Sequence, residues 1–387
     1  MGPRRPATPR NTSCVSLRKR RRKEGLVDGD AAAVLPARSV IVLTGISGGI
    51  GRSFFQQLVE QKQKARQRCL FVVGVRGDDK RRFDFKSSLL LFFSGGGLAA
   101  AAATNDDLRL EVCELDLTSS ASISLFVSQV ERLVLGENAS GVCSIVHVAG
   151  TTSAAVRDAR SVTEGTMRVN MTGVAQLTQG LHPLLIRYFE AEGVASRVVV
   201  VSSTGGKLRA LNVVSDVRGQ RALLCALLSS PSTSPEQIVG LAEDAIESVS
   251  AVGGGCGVGR YHQVFGRTPS YGSNADLCGP DDVYKYSKLL VNAWVRCSAA
   301  AAAAASSDAV VYHAVDPGSS QSGMNPSAQH PPSRGGAIVL EAMRAPVQES
   351  GAYYEAVVVN QARATGCRRV DGGVPAAVML RKVELFD

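Results

Sequence analysis

From Ser39 onward, short apolar runs alternate with longer stretches in which apolar and polar positions recur at helical spacing. Val40-Ile41-Val42-Leu43 is the first such run, bounded by Gly45, and a helix is expected from near Ile50 to about Lys64. Leu70 to Val73, Leu110 to Leu115, Ser144 to Val148 and Arg197 to Val201 are further strand candidates. Continuous rather than alternating apolar runs describe strands buried on both faces of a parallel sheet. Strand, crossover helix and strand again is the doubly wound plan. The pattern therefore predicts an α/β fold, a Rossmann-like parallel sheet forming a single domain over residues 38–387. No window approaches the roughly 18 apolar residues of a membrane-spanning helix. The longest strongly apolar stretch runs only from Leu89 to Phe93, so no association with a membrane is expected.

Three segments interrupt this rhythm. Gly95-Gly96-Gly97 with Ala99 to Ala103, and the alanine run Ala299 to Ala305, read as loop or helix-end expansions without chemistry. The third, residues 204–283, is long. It holds Ser234-Pro235-Glu236-Gln237, a capping box with proline at the first helical position. Ile238, Leu241, Ala242, Ala245, Ile246 and Val249 then fall on one face of a helix, which must bury that stripe. Gly253-Gly254-Gly255 breaks the pattern.

Charge changes the picture only at one end. The net charge of +9 suggests a polyanion partner until it is located. Nine basic residues and no acidic one lie within residues 1–23, and the rest of the chain carries 34 basic against 34 acidic residues. A neutral body offers no groove for a phosphate backbone, so nucleic acid is not an expected partner except through that tail. Residues 1–37 read as a basic, disordered extension. Residues 1–23, Arg-rich and without an acidic side chain, fit an organellar transit segment by composition. The run Arg18-Lys19-Arg20-Arg21-Arg22-Lys23 fits a nuclear-import patch as well as a solvated extension with no address. Nine widely spaced cysteines, with no CxxC pair, give neither a zinc site nor a dithiol redox pair. This is usage for a reducing compartment, and a cytoplasmic location is expected.

Four motifs carry chemistry. Thr44-Gly45-Ile46-Ser47-Gly48-Gly49-Ile50-Gly51 follows a strand and opens a helix. Glycines there let backbone approach a pyrophosphate, whose charge sits on free N–H groups at the helix start. At the end of the next strand stands Arg76, whose planar guanidinium suits a ribose 2′-phosphate and favours NADP. Asp78 and Asp79 follow closely and keep NAD open. Tyr284 and Lys288 are i and i+4 on one helical face, while Tyr286 points elsewhere. A phenol working near neutral pH needs its pKa lowered by roughly three units, and a nearby lysine cation supplies much of that. Finally, the strand Arg197 to Val201 ends in Ser202-Ser203, where ligands bind in such sheets.

Together these residues resemble the short-chain dehydrogenase/reductase family over nearly all of residues 39–360. The glycine turn matches the family's cofactor turn. Asp116 and Leu117 are similar to the pair beside the adenine, and Ala149-Gly150 to the end of the Asn-Asn-Ala-Gly motif. Asn170 lies in a segment similar to the helix bearing the catalytic asparagine, and Ser203, Tyr284 and Lys288 complete the family's tetrad. Pro317-Gly318 resembles the turn over the nicotinamide, with Ser322 where a threonine usually contacts it. The 80 residues between Ser203 and Tyr284 resemble the helical insertion of the monomeric carbonyl reductases, including plant menthone- and salutaridine-type enzymes. In that branch the insertion covers the surface others use to oligomerise.

The resemblance implies an NADPH-dependent carbonyl reductase, a monomer acting on a ketone, aldehyde or quinone. Tyr284 would be the general acid, Lys288 the residue lowering its pKa and holding the ribose, Ser203 the hydrogen-bond donor to the carbonyl, and Asn170 the holder of a proton-relay water. A pterin-type carbonyl reductase and a catalytically silent NADP-binding scaffold are the alternatives. The chain departs from the family pattern at His147-Val148, where Asn-Asn is usual, at Gly48, where many members carry a basic residue, and at Ser319-Ser320-Gln321.

Overall fold

The computed structural model describes residues 38–94, 107–152, 159–207, 230, 232–250, 268–269, 277–278, 280–305, 307–358 and 378–383. All belong to one unit, Ala37–Asp387. The strands are β1 (Ser39–Thr44), β2 (Cys69–Val75), β3 (Leu108–Glu114), β4 (Val142–His147) and β5 (Ser196–Val201), then β6 (Thr268–Pro269), β7 (Leu277–Cys278), β8 (Val310–Asp316), β9 (Tyr353–Val358) and β10 (Val378–Val383). Eight of them form one sheet in the order β10-β9-β8-β5-β4-β1-β2-β3, while β6 and β7 pair separately. The five sequence runs thus become β1 to β5, and all seven residues of β2 are buried.

Alternate residues of each central strand feed two cores. Val40, Val42, Leu70 and Val72 pack on one face with Phe126, Leu181, Leu290 and Trp294. Ile41, Leu43, Phe71 and Val73 pack on the other with Phe54, Phe55, Leu58 and Ile338. The helices supplying these side chains are α1 (Gly49–Lys64), α2 (Asp79–Ser94), α3 (Ser120–Gly136), α4 (Ala159–Met167), α5 (Gly173–Glu192), α6 (Pro235–Ser250), α7 (Pro280–Ala304) and α8 (Pro332–Ala342). Helices α1, α2 and α8 cover the second face; α3, α5, α6 and α7 cover the first. This is the doubly wound α/β arrangement.

The sheet is mostly parallel, as expected; at its edge β10 runs antiparallel to β9. Its exposed Arg381 and Lys382 interrupt the apolar run, as edge strands require to discourage pairing with other chains. For the same reason it does not read as a buried strand. The alanine run, read as an expansion, forms the last turns of α7 through Ala304, as the strong helix preference of alanine dictates.

The capping box at Ser234 is formed. Gln237 N–H donates to Ser234 Oγ at 3.3 Å and Ser234 N–H donates to Gln237 Oε1 at 2.8 Å. Ile238, Ala242, Ala245 and Ile246 of α6 are buried, and Leu241 packs beside them; the side chain of Val249 lies outside the described residues. The helix lies against α4 and α7. Most of residues 204–283, and the segment Gly95 to Ala103, lie outside the described residues.

Candidate functional site

The C-terminal ends of the parallel strands surround a cavity of about 970 Å³, the place where doubly wound sheets bind ligands. Three turns build its walls: the glycine turn after β1, the serine turn after β5 and the Pro-Gly turn after β8.

The glycine turn is made by close approach. Gly45 has φ +75°, and a Cβ there would sit 2.2 Å from the backbone nitrogen of Ala149. A Cβ on Gly51 would sit 2.2 Å from the carbonyl oxygen of Gly45. Only glycine fits either position. Helix α1 then begins with Gly48 as N-cap, with no side-chain cap and no acid in its first turn. Its first N–H groups and the positive end of the helix dipole are left for an anion. Thr44, Ser47, Gly49 and Ile50 line the same wall.

Further along, Arg76 is exposed at the end of β2 and lines the cavity. The nearby acids are engaged elsewhere. Asp78 Oδ1 accepts the N–H of Arg81 at 2.9 Å, and Asp79 pairs with Arg82. Asp116 and Leu117 also line the cavity. Asp116 Oδ1 accepts from Thr118 N–H at 2.9 Å and from its hydroxyl at 2.7 Å, which folds the loop into place.

The other end of the cavity holds the four candidate reactive residues. A π-helical turn, Arg168–Thr172, joins α4 to α5 and carries Asn170; such turns re-aim a side chain within a continuous helix. Asn170 is buried behind the cavity wall. It accepts Thr151 N–H at 2.8 Å and donates to Thr151 O at 2.9 Å and to Ser287 Oγ at 3.0 Å. Ser203 caps the turn Thr204–Gly206, accepting the N–H of Gly205 at 3.2 Å. Tyr284 and Lys288 share one face of α7, as their spacing requires. Lys288 is buried, and its Nζ donates to Val201 O at 2.8 Å. Ala149, Gly150, Pro317, Gly318 and Ser322 complete the lining.

Burial pushes the Tyr284 phenol above its usual value, Ser203 opposing through a hydrogen bond and Asp316 adding to the rise. The Lys288 ammonium lies over the ring, 5.7 Å from its centroid, and donates to the carbonyl of Val201. Burial in turn pushes Lys288 down to about 8, Asp316 opposing. Without a ligand the phenol holds its proton.

His147 ties β4 to α5 through its side chain. It is fully buried and neutral, burial pushing its pKa down to about 3. Thr178 Oγ1 donates to Val174 O at 2.9 Å, so the Nε2–H of His147 donates to Thr178 Oγ1, also at 2.9 Å. Val148 N–H donates to Thr44 O at 3.2 Å, which ties β4 to β1 beside the glycine turn.

All the residues expected at the site, Asn170 apart, line one cavity; Asn170 stands directly behind it. Thr118, Thr151, Thr152, Val169, Thr204, Met324 and Asn325 line it too and carried no sequence signal, being ordinary residues on loops and helix faces. Asp316, which precedes Pro317-Gly318 in the chain, also lines it. Among the described residues, no cluster of His, Cys, Asp or Glu suits a metal ion and no helix is long and apolar enough to cross a membrane.

No protein-family profile matches the sequence, and no curated protein sequence matches it. Solved structures do. Salutaridine reductase from Papaver somniferum superposes with a TM-score of 0.57 at 18% identity, over 82% of this chain and 99% of the reductase. The carbonyl reductase Sniffer of D. melanogaster gives 0.51 at 15% identity, over 82% of this chain and 96% of its own. An NADPH-bound carbonyl reductase from chicken fatty liver gives 0.50 at 15% identity, over 83% and 93%. At these identities the likeness is one of fold.

Proposed function

We propose that this chain is a short-chain dehydrogenase/reductase acting as an NADPH-dependent carbonyl reductase. The observation that carries the reading is the meeting of Ser203, Tyr284 and Lys288 at one end of a cavity whose other end is an uncapped, glycine-lined helix start. The cradle that a Cβ at Gly45 or Gly51 would fill fits a dinucleotide pyrophosphate. A nicotinamide cofactor bound there supplies hydride. Gly45, Gly49, Ile50 and Gly51 would hold the pyrophosphate, Asp116 and Leu117 the adenine side, and Pro317, Gly318 and Ser322 the nicotinamide side, all of them lining the cavity. Arg76 favours a 2′-phosphate, and what supports NADP over NAD is that Asp78 and Asp79 have other partners.

Ser203 donates to the substrate carbonyl oxygen and stabilises the negative charge that develops on it. Tyr284 gives the proton to that oxygen as general acid, and burial keeps it loaded for the purpose. Lys288 would orient the ribose, and its positive charge beside the Tyr284 ring would help the phenol give up its proton. Asn170 holds the Thr151 segment beside the reacting groups. The substrate is a ketone, aldehyde or quinone. The packing of α6 against α4 and α7 supports a monomer, and the cysteine usage supports a cytoplasmic location.

Titrating the purified protein with NADPH and NADH, then following oxidation of NADPH against ketones, aldehydes and quinones, tests the reading. Tyr284→Phe must keep the binding and lose turnover. Full turnover in that variant overturns the mechanism, and tight NADPH binding with no turnover on any carbonyl points to a silent scaffold.

A further inference from the structure

The proposed reaction needs two hydroxyl donors from different parts of the fold to reach one oxygen. Tyr284 comes from helix α7 and Ser203 from the start of the turn after β5. The register of that turn on the helix therefore decides whether the two converge. A misplacement of about 1 Å costs up to about a hundredfold in rate.

The chain on both sides of Ser203 rests on α7 at Lys288. Before the serine, Ser202 Oγ donates to the carbonyl oxygen of Lys288 at 3.5 Å. After it, Gly206 is buried against the same peptide. A Cβ on Gly206 would sit 2.8 Å from both the carbonyl carbon and the oxygen of Lys288, and 2.6 Å from Asn292 Nδ2. Only glycine lets the turn come this close. The contact is closed by a hydrogen bond, Asn292 Nδ2 donating to Gly206 O at 3.2 Å.

Asn292 stands one helical turn beyond Lys288, fully buried and outside the cavity lining. Its Oδ1 has no hydrogen-bond partner among the described residues. A buried amide with an unmet acceptor is a poor choice for stability alone, since an apolar side chain would bring no such group. The bond it does make goes to the turn that carries Ser203. Lys207, the next residue, holds the far end of that turn through its ion pair with Glu355 of β9.

We propose that Asn292 is a positioning residue that seats the Ser203 turn on the helix carrying Tyr284 and Lys288, and so fixes where the serine hydroxyl stands relative to the phenol. It acts through Gly206. The consequence for turnover rests on the reductase reading; the seating of the turn does not.

Hydrogen exchange of the full chain without nucleotide tests the seating. The amides of Gly206 and Lys207 donate within the turn, to Ser203 O at 2.8 Å and Thr204 O at 3.3 Å, and report its order. Asn292→Leu speeds exchange of both about tenfold and leaves the amides of β5 and β8 within about twofold. Asn292→Thr, close to asparagine in size and able to bond back to the Lys288 carbonyl, gives the same pattern and carries the test if the leucine variant does not fold. Unchanged exchange at the turn overturns the proposal. So does equal acceleration in the strands, because Asn292 would then stabilise the whole fold rather than seat the turn. In turnover, Asn292→Thr lowers kcat about tenfold while the NADPH dissociation constant stays within about twofold, a split that a purely structural residue does not produce. Unchanged kcat overturns the proposal. Failure of the reductase reading is separate: the unaltered protein then binds no NADPH, while exchange at Gly206 and Lys207 still decides the seating.

Discussion

Replacing Lys288 by methionine removes a buried cation while keeping the length of its stem. In the folded protein burial depresses the ammonium from 10.5 to about 8, so the unfolded chain holds the proton more tightly. Between those values the unfolded chain binds more protons, and stability rises with pH. At neutral pH the charge therefore costs about 3 kcal/mol, at 1.36 kcal/mol per pH unit. The variant sheds that cost but leaves the carbonyl of Val201 without its donor, a loss of about 1–3 kcal/mol. The two effects nearly cancel at neutral pH, so the slope with pH is the clean observable. Integrating both titrations from pH 7 to pH 9.5 gives a gain of about 2 kcal/mol for the unaltered protein, absent from Lys288→Met. Urea unfolding of both proteins without nucleotide, at several pH values across that range, measures it. A stability difference that stays flat with pH would refute the reasoning, because it would mean that the ammonium is solvated in the folded state. Turnover in the variant is expected to be lost throughout.

Three further outcomes follow from other parts of the structure. Arg76→Ala weakens NADPH about tenfold or more and leaves NADH unchanged, as parallel fluorescence titrations will show; equal losses would remove the 2′-phosphate assignment. Gly51→Val abolishes binding of both nucleotides, since its Cβ meets the carbonyl of Gly45, and binding by calorimetry within about threefold of the unaltered protein would contradict that packing. Ser234→Ala costs about 1 kcal/mol of stability by removing the acceptor for Gln237 N–H, measured as a lower urea midpoint with nucleotide affinity preserved.

The parts of the fold visible in the sequence were those fixed by strong local signals. The runs behind β1, β2, β4 and β5 are buried on both faces and read directly as strands, and the glycines at 45 and 51 are demanded by contacts that a side chain would break. The box at Ser234 was legible because capping is local chemistry. β10 was not, since an edge strand carrying Arg381 and Lys382 has no continuous apolar run. At the site, Tyr284 and Lys288 were legible from i, i+4 spacing, but their electrostatics were not. Spacing on a helix says that two side chains are neighbours; it does not say that the ammonium lies over the ring with its proton given to a strand carbonyl. The ion pair of Lys207 with Glu355 depends on β9 and the turn after β5 coming together, which only tertiary structure reveals.

The strand order has a consequence in time. The turn after β1 and the residues flanking it on β2 and β3 come from one half of the sheet, encoded by the first third of the described chain. Ser203, Tyr284 and Asp316 come from the other half, and β8 must insert beside β5 before they meet. Pairings of such long sequence separation form late and slowly. During synthesis the wall proposed to grip a phosphate therefore emerges well before the wall proposed to move a proton. A nucleotide bound in the completed cavity would stabilise the joined state over either half alone, so the ligand proposed for the finished protein would also favour its assembly.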